Sequence, residues 1–289
     1  MTDAAAPMSS GTGRCLCGTV TYAFDAAPNW QAYCHCESCR RNCSAPYTAY
    51  FAISHGHWRW TGTKPAVYAS SPGVRRHFCA RCGTPMAFEG ENWANELHFY
   101  AASLDDPTAY QPTAHANWNE HLPWVKLADG LKLLRTPRRM TADEDFAPLL
   151  ALIQSAFASM KGRIDPPSSA NHLTVANLAE QARTGEVWVM EDLGQPVACM
   201  VLTPKTDHLY LGKLATDPAF RRQRLARQLI RHAESRARAL ALPELRLETR
   251  VELTENHATF RALGFEETAR SAHPGFDRPT SITFAKRVG

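Results

Sequence analysis

Residues Leu209–Glu234 read LYLGKLATDPAFRRQRLARQLIRHAE. The run opens as a strand from His208 to Ala215, turns at Asp217-Pro218, and continues as a helix from Phe220 to about Ala241. Leu225, Leu229, Ile230 and Ala233 recur at helical spacing and make one apolar face. Arg221 to Ala226 fall at the helix start, where free N–H groups and the positive end of the helix dipole suit a pyrophosphate.

The sequence on either side continues this alternation. Helices are expected over Phe146–Met160, Leu173–Arg183 and His257–Leu263. Strands are expected at Val187–Glu191, Pro196–Leu202, Leu245–Val251 and Thr280–Ala285. That order predicts an α/β fold for the second half.

The first half differs in kind. Eight of the nine Cys and six of the seven Trp precede residue 136, while 21 of the 32 basic residues follow it. Thr19–Phe24 and Ala45–Ile53 are rich in β-branched and aromatic residues, so this half reads as short strands. A helix-breaking proline and clustered charge at Leu134–Met140 place the boundary there, giving domains 1–135 and 136–289.

Composition limits the function. The mean hydropathy is −0.34, and no apolar run is long enough to span a bilayer. Met1–Gly13 is small and polar, and reads as a loose tail rather than a signal peptide. A cytoplasmic protein is expected, and nine cysteines there indicate metal binding or catalysis rather than disulfides. The net charge of +4 is too small to argue for nucleic acid. Seven arginines between Arg221 and Arg238 lack the interleaved aromatics of such a surface, and Arg231 to Arg238 read as a solvated helix face.

Three cysteine groups carry the chemistry of the first half: Cys15-x-Cys17-Gly18, Cys34-His35-Cys36-x-x-Cys39 and Cys79-x-x-Cys82-Gly83. A C-x-C in an extended segment offers both sulfurs to one side, and C-x-x-C can turn so that its sulfurs converge. Seven thiolates divide as four plus three: four close a tetrahedral zinc, and three leave a position open. Spacing alone leaves the pairing open. Gly18 and Gly83 stand where a metal-binding turn benefits from the absence of Cβ.

The frames C-x-C-G-x-V-x-Y (Cys15–Tyr22), C-H-C-x-x-C-R-R (Cys34–Arg41), Ala45-Pro46-Tyr47 and F-C-x-x-C-G-T (Phe78–Thr84) resemble the glutathione-dependent formaldehyde-activating (GFA) family and its centromere protein V relatives. The resemblance runs from about residue 12 to 132 and implies a small, mainly β, zinc-binding domain of the β-tent type. It implies a structural zinc on Cys15, Cys17, Cys79 and Cys82. It also implies a second zinc on Cys34, Cys36 and Cys39, open to a small thiol such as glutathione, with carbon–sulfur lyase chemistry on adducts of the S-hydroxymethylglutathione type. Cys43 stands where that family has a small polar residue, and either closes the second site or is a free, packed thiol. His35 should point away from its flanking cysteines, toward a supporting or a surface role. His115 and His121 either line the site or are surface histidines, and Arg40 and Arg41 either hold a glutathione carboxylate or are merely exposed.

The second half resembles the GNAT acetyltransferases, whose pyrophosphate loop reads Q/R-x-x-G-x-G/A; Arg221 and Ala226 fit its ends. That implies acetyl-CoA bound by Leu214, Ala215 and Thr216 and by the loop Arg221, Arg222, Gln223, Arg224, Leu225, Ala226 and Arg227. The later run Asn256 to Phe265, with Asn256 as a further contact, resembles the family's closing helix. Two positions depart from the pattern: Arg224 replaces the central glycine, and Phe260 replaces a tyrosine that protonates the departing thiolate. A water, Tyr210 or a substrate group would have to serve as donor, Glu248 and His208 are candidate bases, and Cys199 reads as core. The reading is a bifunctional enzyme acting on small thiol and amine substrates. The alternative is a closed structural zinc module beside an acetyltransferase or acyl-CoA sensor. The acceptor amine and the oligomeric state are not legible.

Overall fold

The computed structural model describes residues 7–289. The first six residues of the expected tail lie outside them. The rest of that tail is not loose: Met8 is buried, and Gly11–Arg14 is a strand. The chain divides after Leu134 into two compact units.

The first unit contains β1 (Gly11–Arg14), β2 (Thr21–Phe24), β3 (Trp30–Cys34), α1 (Glu37–Cys43), β4 (Thr48–Ser54), β5 (Trp58–Trp60), β6 (Ala66–Ser71), β7 (Val74–Phe78), β8 (Pro85–Gly90), β9 (Glu96–Tyr100), β10 (Ala114–Ala116) and β11 (Lys132–Leu133). It is a mostly-β domain. One sheet has the order β1-β2-β5 and the other β11-β10-β3-β4-β9-β8-β7-β6. Alternation in β2 turns Tyr22 and Phe24 inward, where they meet Phe51 and Phe99 from β4 and β9. Tyr22 stacks on Phe99 with centroids 4.3 Å apart, and its hydroxyl pairs with Ser103.

The second unit contains β12 (Arg138–Met140), α2 (Ala147–Phe157), α3 (Val175–Thr184), β13 (Glu186–Asp192), β14 (Gln195–Pro204), β15 (Leu209–Thr216), α4 (Leu225–Ala239), β16 (Glu244–Arg250), α5 (Thr254–Ala262), β17 (Glu266–Ser271) and β18 (Ser281–Arg287). Its sheet has the order β12-β13-β14-β15-β16-β18-β17. A cluster built on α2 and α3 includes Phe146, Leu149, Ile153, Leu178 and Cys199. A second, built on α4, includes Leu225, Leu229, Ile230 and Ala233, the apolar face read from the sequence. This is the α/β layout expected of a GNAT fold.

Several local expectations need correction. The helix expected from Phe220 begins five residues later, because Pro218–Phe220 is a 3-10 turn and Arg222 and Arg224 take positive φ (67° and 59°). The short helix starts at Thr254 rather than His257. Arg138–Met140, read as boundary, is a strand paired with β13. Arg236 is not simply solvated, since it forks onto buried Glu186 at 2.6 and 2.9 Å. Among the described residues no helix is long and apolar enough to cross a membrane.

Removing the central ring of the first core with Phe99→Ala should destabilise that unit by about 3–5 kcal/mol. Denaturant unfolding followed by tryptophan fluorescence checks this, because six of the seven tryptophans belong to that unit.

Candidate functional site

The first unit brings its cysteines together in two sets: Cys15, Cys17, Cys79 and Cys82, and separately Cys34, Cys36 and Cys39. Within each set the sulfurs all lie within 4.8 Å of one another. Two hairpin turns build the four-sulfur set. Cys15 and Cys17 occupy the β1–β2 connection and Cys79 and Cys82 the β7–β8 connection. Gly18 and Gly83 close these turns at φ 75° and 76°, conformations that a Cβ would strain. The Cys15 and Cys17 sulfurs are 3.5 Å apart and those of Cys17 and Cys79 3.7 Å apart. Tetrahedral zinc with bonds of about 2.3 Å sets its sulfurs roughly 3.8 Å apart, so the set fits that ion. The Val20 N–H donates to Cys15 Sγ at 3.2 Å. Hydrogen bonding by Thr84 holds the Cys82 thiol down to about 5.

The three-sulfur set is built differently. Cys34 ends β3, Cys36 caps α1 by accepting the Cys39 N–H at 3.4 Å, and Cys39 sits in the first turn. Asn117 Nδ2 donates to Cys34 Sγ at 3.3 Å, and the Tyr50 hydroxyl donates to Cys39 Sγ at 3.6 Å. Cys34 and Cys36 are half-buried, so the cluster is reachable from solvent. Hydrogen bonds from Cys34 and Cys36, then the Tyr50 hydroxyl and the Arg76 charge, hold Cys39 far below the usual thiol range despite its burial.

Arg76 was not singled out in the sequence. It is 4% exposed, and no carboxylate lies within 4 Å of it among the described residues. Its Nε and Nη2 donate to Ser70 and Ser38, its guanidinium covers the Phe88 ring, and Nη1 has no hydrogen-bond partner. Burial works most strongly against its charge, and Cys39, Tyr50 and Tyr100 together more than offset that, leaving its pKa raised. A buried cation needs an anion, and the thiolate cluster is the one at hand.

Cys43 does not join this set. Its sulfur lies 3.1 Å from the Cys39 carbonyl oxygen and 3.0 Å from Thr48 Oγ1. His35 points away from the sulfurs, as extended geometry requires, but it is fully buried rather than on the surface. Its Nε2 meets His115 Nδ1 at 2.9 Å, and His115 Nε2 meets Asp129 at 3.1 Å. His121 stacks on Trp118 with centroids 4.2 Å apart. These buried histidines therefore brace the cysteine segment and are not surface residues. Arg40 Nε donates to the His35 carbonyl and Arg41 pairs with Glu37, so both arginines are already engaged within the protein.

In the second unit the decisive feature is where two parallel strands part. β15 and β16 pair only at Leu209↔Leu245 and Tyr210↔Arg246. β15 stays paired to β14 as far as Thr216, with a bulge at Lys213, whose φ is +51°. Backbone groups of β15 beyond Tyr210 that face the gap thus have no strand partner, and an amide-bearing ligand could pair with them. Leu214, Asn256 and Phe260 line a cavity of about 520 Å³ at this parting, while Ala215 and Thr216 do not. His208 instead lines a neighbouring cavity of about 430 Å³, its Nδ1 held by Asp207 at 2.6 Å. Tyr210 and Glu248 line both cavities. Burial, and then the Glu248 charge, push the Tyr210 hydroxyl up to about 12.

Arg221, Arg222, Gln223 and Arg224 form the loop before α4, and Leu225, Ala226 and Arg227 its first turn. The N–H groups of that turn have no partner inside the helix, and such groups suit an anion. Arg224 holds a left-handed conformation that costs a side chain roughly 1–2 kcal/mol. The loop is braced by a second residue missed in the sequence, buried Arg135. It donates to Gln223 Oε1 and to Asp192 at 2.8 Å each, and its guanidinium covers the Phe220 ring.

Residues 10–120 match the family described as glutathione-dependent formaldehyde-activating enzyme, and residues 152–265 match the acetyltransferase (GNAT) family. The chain carries a GFA domain followed by a GNAT domain. An uncharacterized lyase of Schizosaccharomyces pombe is 33% identical over 91 residues, which are 29% of this chain and 60% of that protein. The chain thus spans under two thirds of the length of this curated relative. Solved structures that it resembles include a GNAT acetyltransferase of Elizabethkingia anophelis with acetyl-CoA bound. That likeness is 16% identical, covers 53% of this chain and 97% of the other, and has a TM-score of 0.39. Another is an N-acetyltransferase of Thermoplasma acidophilum in complex with coenzyme A, 11% identical, covering 53% and 98%, with a TM-score of 0.45.

Two substitutions test the GFA domain's clusters. Cys43→Ser should leave the zinc content per chain unchanged, as measured by elemental analysis. With zinc bound at the Cys34–Cys36–Cys39 cluster, Arg76→Gln should weaken its retention about 10–100-fold in competition with a chelator, the range for losing an outer-shell partner of a metal site.

Proposed function

We propose that this chain is a bifunctional enzyme: an acetyl-CoA-dependent N-acetyltransferase joined to a zinc domain that handles small-thiol adducts. The parting of β15 from β16 after Tyr210 carries the acetyltransferase reading. Acetyl-CoA would lay its pantetheine amides against the free edge of β15, at Leu214, Ala215 and Thr216, and its pyrophosphate at Arg221–Arg227. The acceptor amine then attacks the thioester carbonyl, so that a C–N bond forms as the C–S bond breaks. Glu248 takes the proton from the amine. Phe260 has no proton to give, so the CoA thiolate takes one from the Tyr210 hydroxyl, which lines the same cavity.

In the GFA domain, Cys15, Cys17, Cys79 and Cys82 would close a structural zinc. Cys34, Cys36 and Cys39 would hold a second with its fourth position open. When bound there, zinc would act as a Lewis acid that favours a thiolate over a thiol. Arg76 offsets the charge of the three sulfurs, and the His35–His115–Asp129 chain holds the segment that carries them. The substrate class that fits is a small thiol such as glutathione and its S-hydroxymethyl adduct, whose C–S bond would be made or broken. The position of Cys43, turned to Cys39 and Thr48, favours this over a closed four-sulfur site.

The test uses one sample of the full chain. Zinc is counted and exchanged for cobalt, glutathione is titrated against the cobalt spectrum, and acetyl-CoA binding is measured by calorimetry. Two metals per chain, one of them perturbed by glutathione, and a saturable acetyl-CoA site are expected. Metals blind to every thiol would make the GFA domain purely structural, and absence of acetyl-CoA binding would sink the acetyltransferase reading.

A further inference from the structure

The cavity at the parting of β15 and β16 is lined by two cations and one carboxylate without an opposite charge within 4 Å among the described residues. These are Lys213, Arg250 and Glu248. Lys213 sits on the bulge, in the left-handed conformation, and its ammonium meets only Ser169 Oγ at 3.4 Å. The Arg250 guanidinium donates to the Pro166 carbonyl and to the His273 ring, and its buried Nε has no partner. Two acids, Asp165 and Glu252, stand near Arg250, but Arg278 already holds them at 3.0 and 3.7 Å. Glu248 and Arg250 are two apart on β16 and so face the same side of the strand.

Neither cation has an acid within 4 Å among the described residues, and burial lowers the pKa of Lys213 and, against the Glu252 and Asp165 charges, that of Arg250. The CoA phosphates are not the missing anion, since the 3′-phosphate lies beyond the pyrophosphate from the thioester end. The residues suited to the pyrophosphate, Arg221–Arg227 at the start of α4, do not line this cavity. Pantetheine is uncharged and does not supply one either. The remaining occupant is the acceptor.

We propose that the acceptor carries a carboxylate beside its amine, as an amino acid does. Arg250 and Lys213 hold the carboxylate, and Glu248 faces the amine. An arginine fork matches a carboxylate in shape and charge. Residues two apart on a strand are separated by roughly 6.6 Å, a span that a small amino acid can bridge with help from the two side chains. This inference rests on the acetyl-transfer reading above.

The test compares each of the common L-amino acids with its carboxamide as acceptor for the full-length protein saturated with acetyl-CoA, following loss of the thioester. The best amino acid should exceed its amide at least tenfold in kcat/KM. Arg250→Gln should remove that preference, Arg250→Lys should restore part of it, and Lys213→Met should weaken it, all without change in acetyl-CoA binding by calorimetry. Amides that serve as well as acids, or an Arg250→Gln protein that melts normally and keeps the preference, would overturn the inference while leaving acetyl transfer intact. Should no acceptor turn over, equilibrium dialysis of the same amino acids against the acetyl-CoA-loaded protein decides, and absence of binding overturns it. A chain that fails to bind acetyl-CoA removes the underlying reading itself, which is a separate result.

Discussion

Thiolates crowded to sulfur contact repel one another, and the GFA domain crowds seven cysteine sulfurs into two clusters. Hairpin glycines, a helix cap and N–H donors all serve to bring those sulfurs together. Such an arrangement is stable only if a cation absorbs the charge. At the four-sulfur set the geometry suits a metal that completes its tetrahedron from the chain. At the three-sulfur set, part of the compensation is built into the protein as Arg76, buried without a carboxylate. On the proposed reading, three thiolates with a divalent cation would carry one negative charge, which the Arg76 guanidinium would offset.

The GNAT domain applies the same logic to backbone groups. Strand pairing normally consumes every N–H and C=O in a sheet. Here β15 is paired on one edge along its length except at the Lys213 bulge, and on the other for two residues only. The unpaired edge, the bulge at Lys213 and the cavity at the parting all follow from that divergence. Tyr210 stands at the last paired position, so it lines the cavities found there with Glu248 of β16.

Support from outside each site is as specific as the site itself. Arg135 ties Gln223 and Asp192 together at the loop that precedes α4, in which Arg222 and Arg224 take positive φ. His35, His115 and Asp129 do the comparable work behind the cysteine segment. In both cases a buried polar side chain draws partners from residues remote in sequence, while Arg135 Nε and His35 Nδ1 stay unpaired.

The amino-acid sequence by itself determined what local chemistry can determine. Cysteine spacing, with Gly18 and Gly83, marked the metal-type turns, because ligand number and turn strain act over a few residues. Helical spacing of Leu225, Leu229, Ile230 and Ala233 marked the buried face of α4, and the alternation of elements marked an α/β unit. Only the tertiary structure decided that Cys43 turns away, and that α4 begins after Phe220 rather than at it. It also decided the surroundings of Arg76, Arg135, Lys213 and Arg250, which look like ordinary surface charges in a linear sequence. The reason is physical: burial and the absence of a counter-charge depend on which distant strands meet, and no local pattern records that.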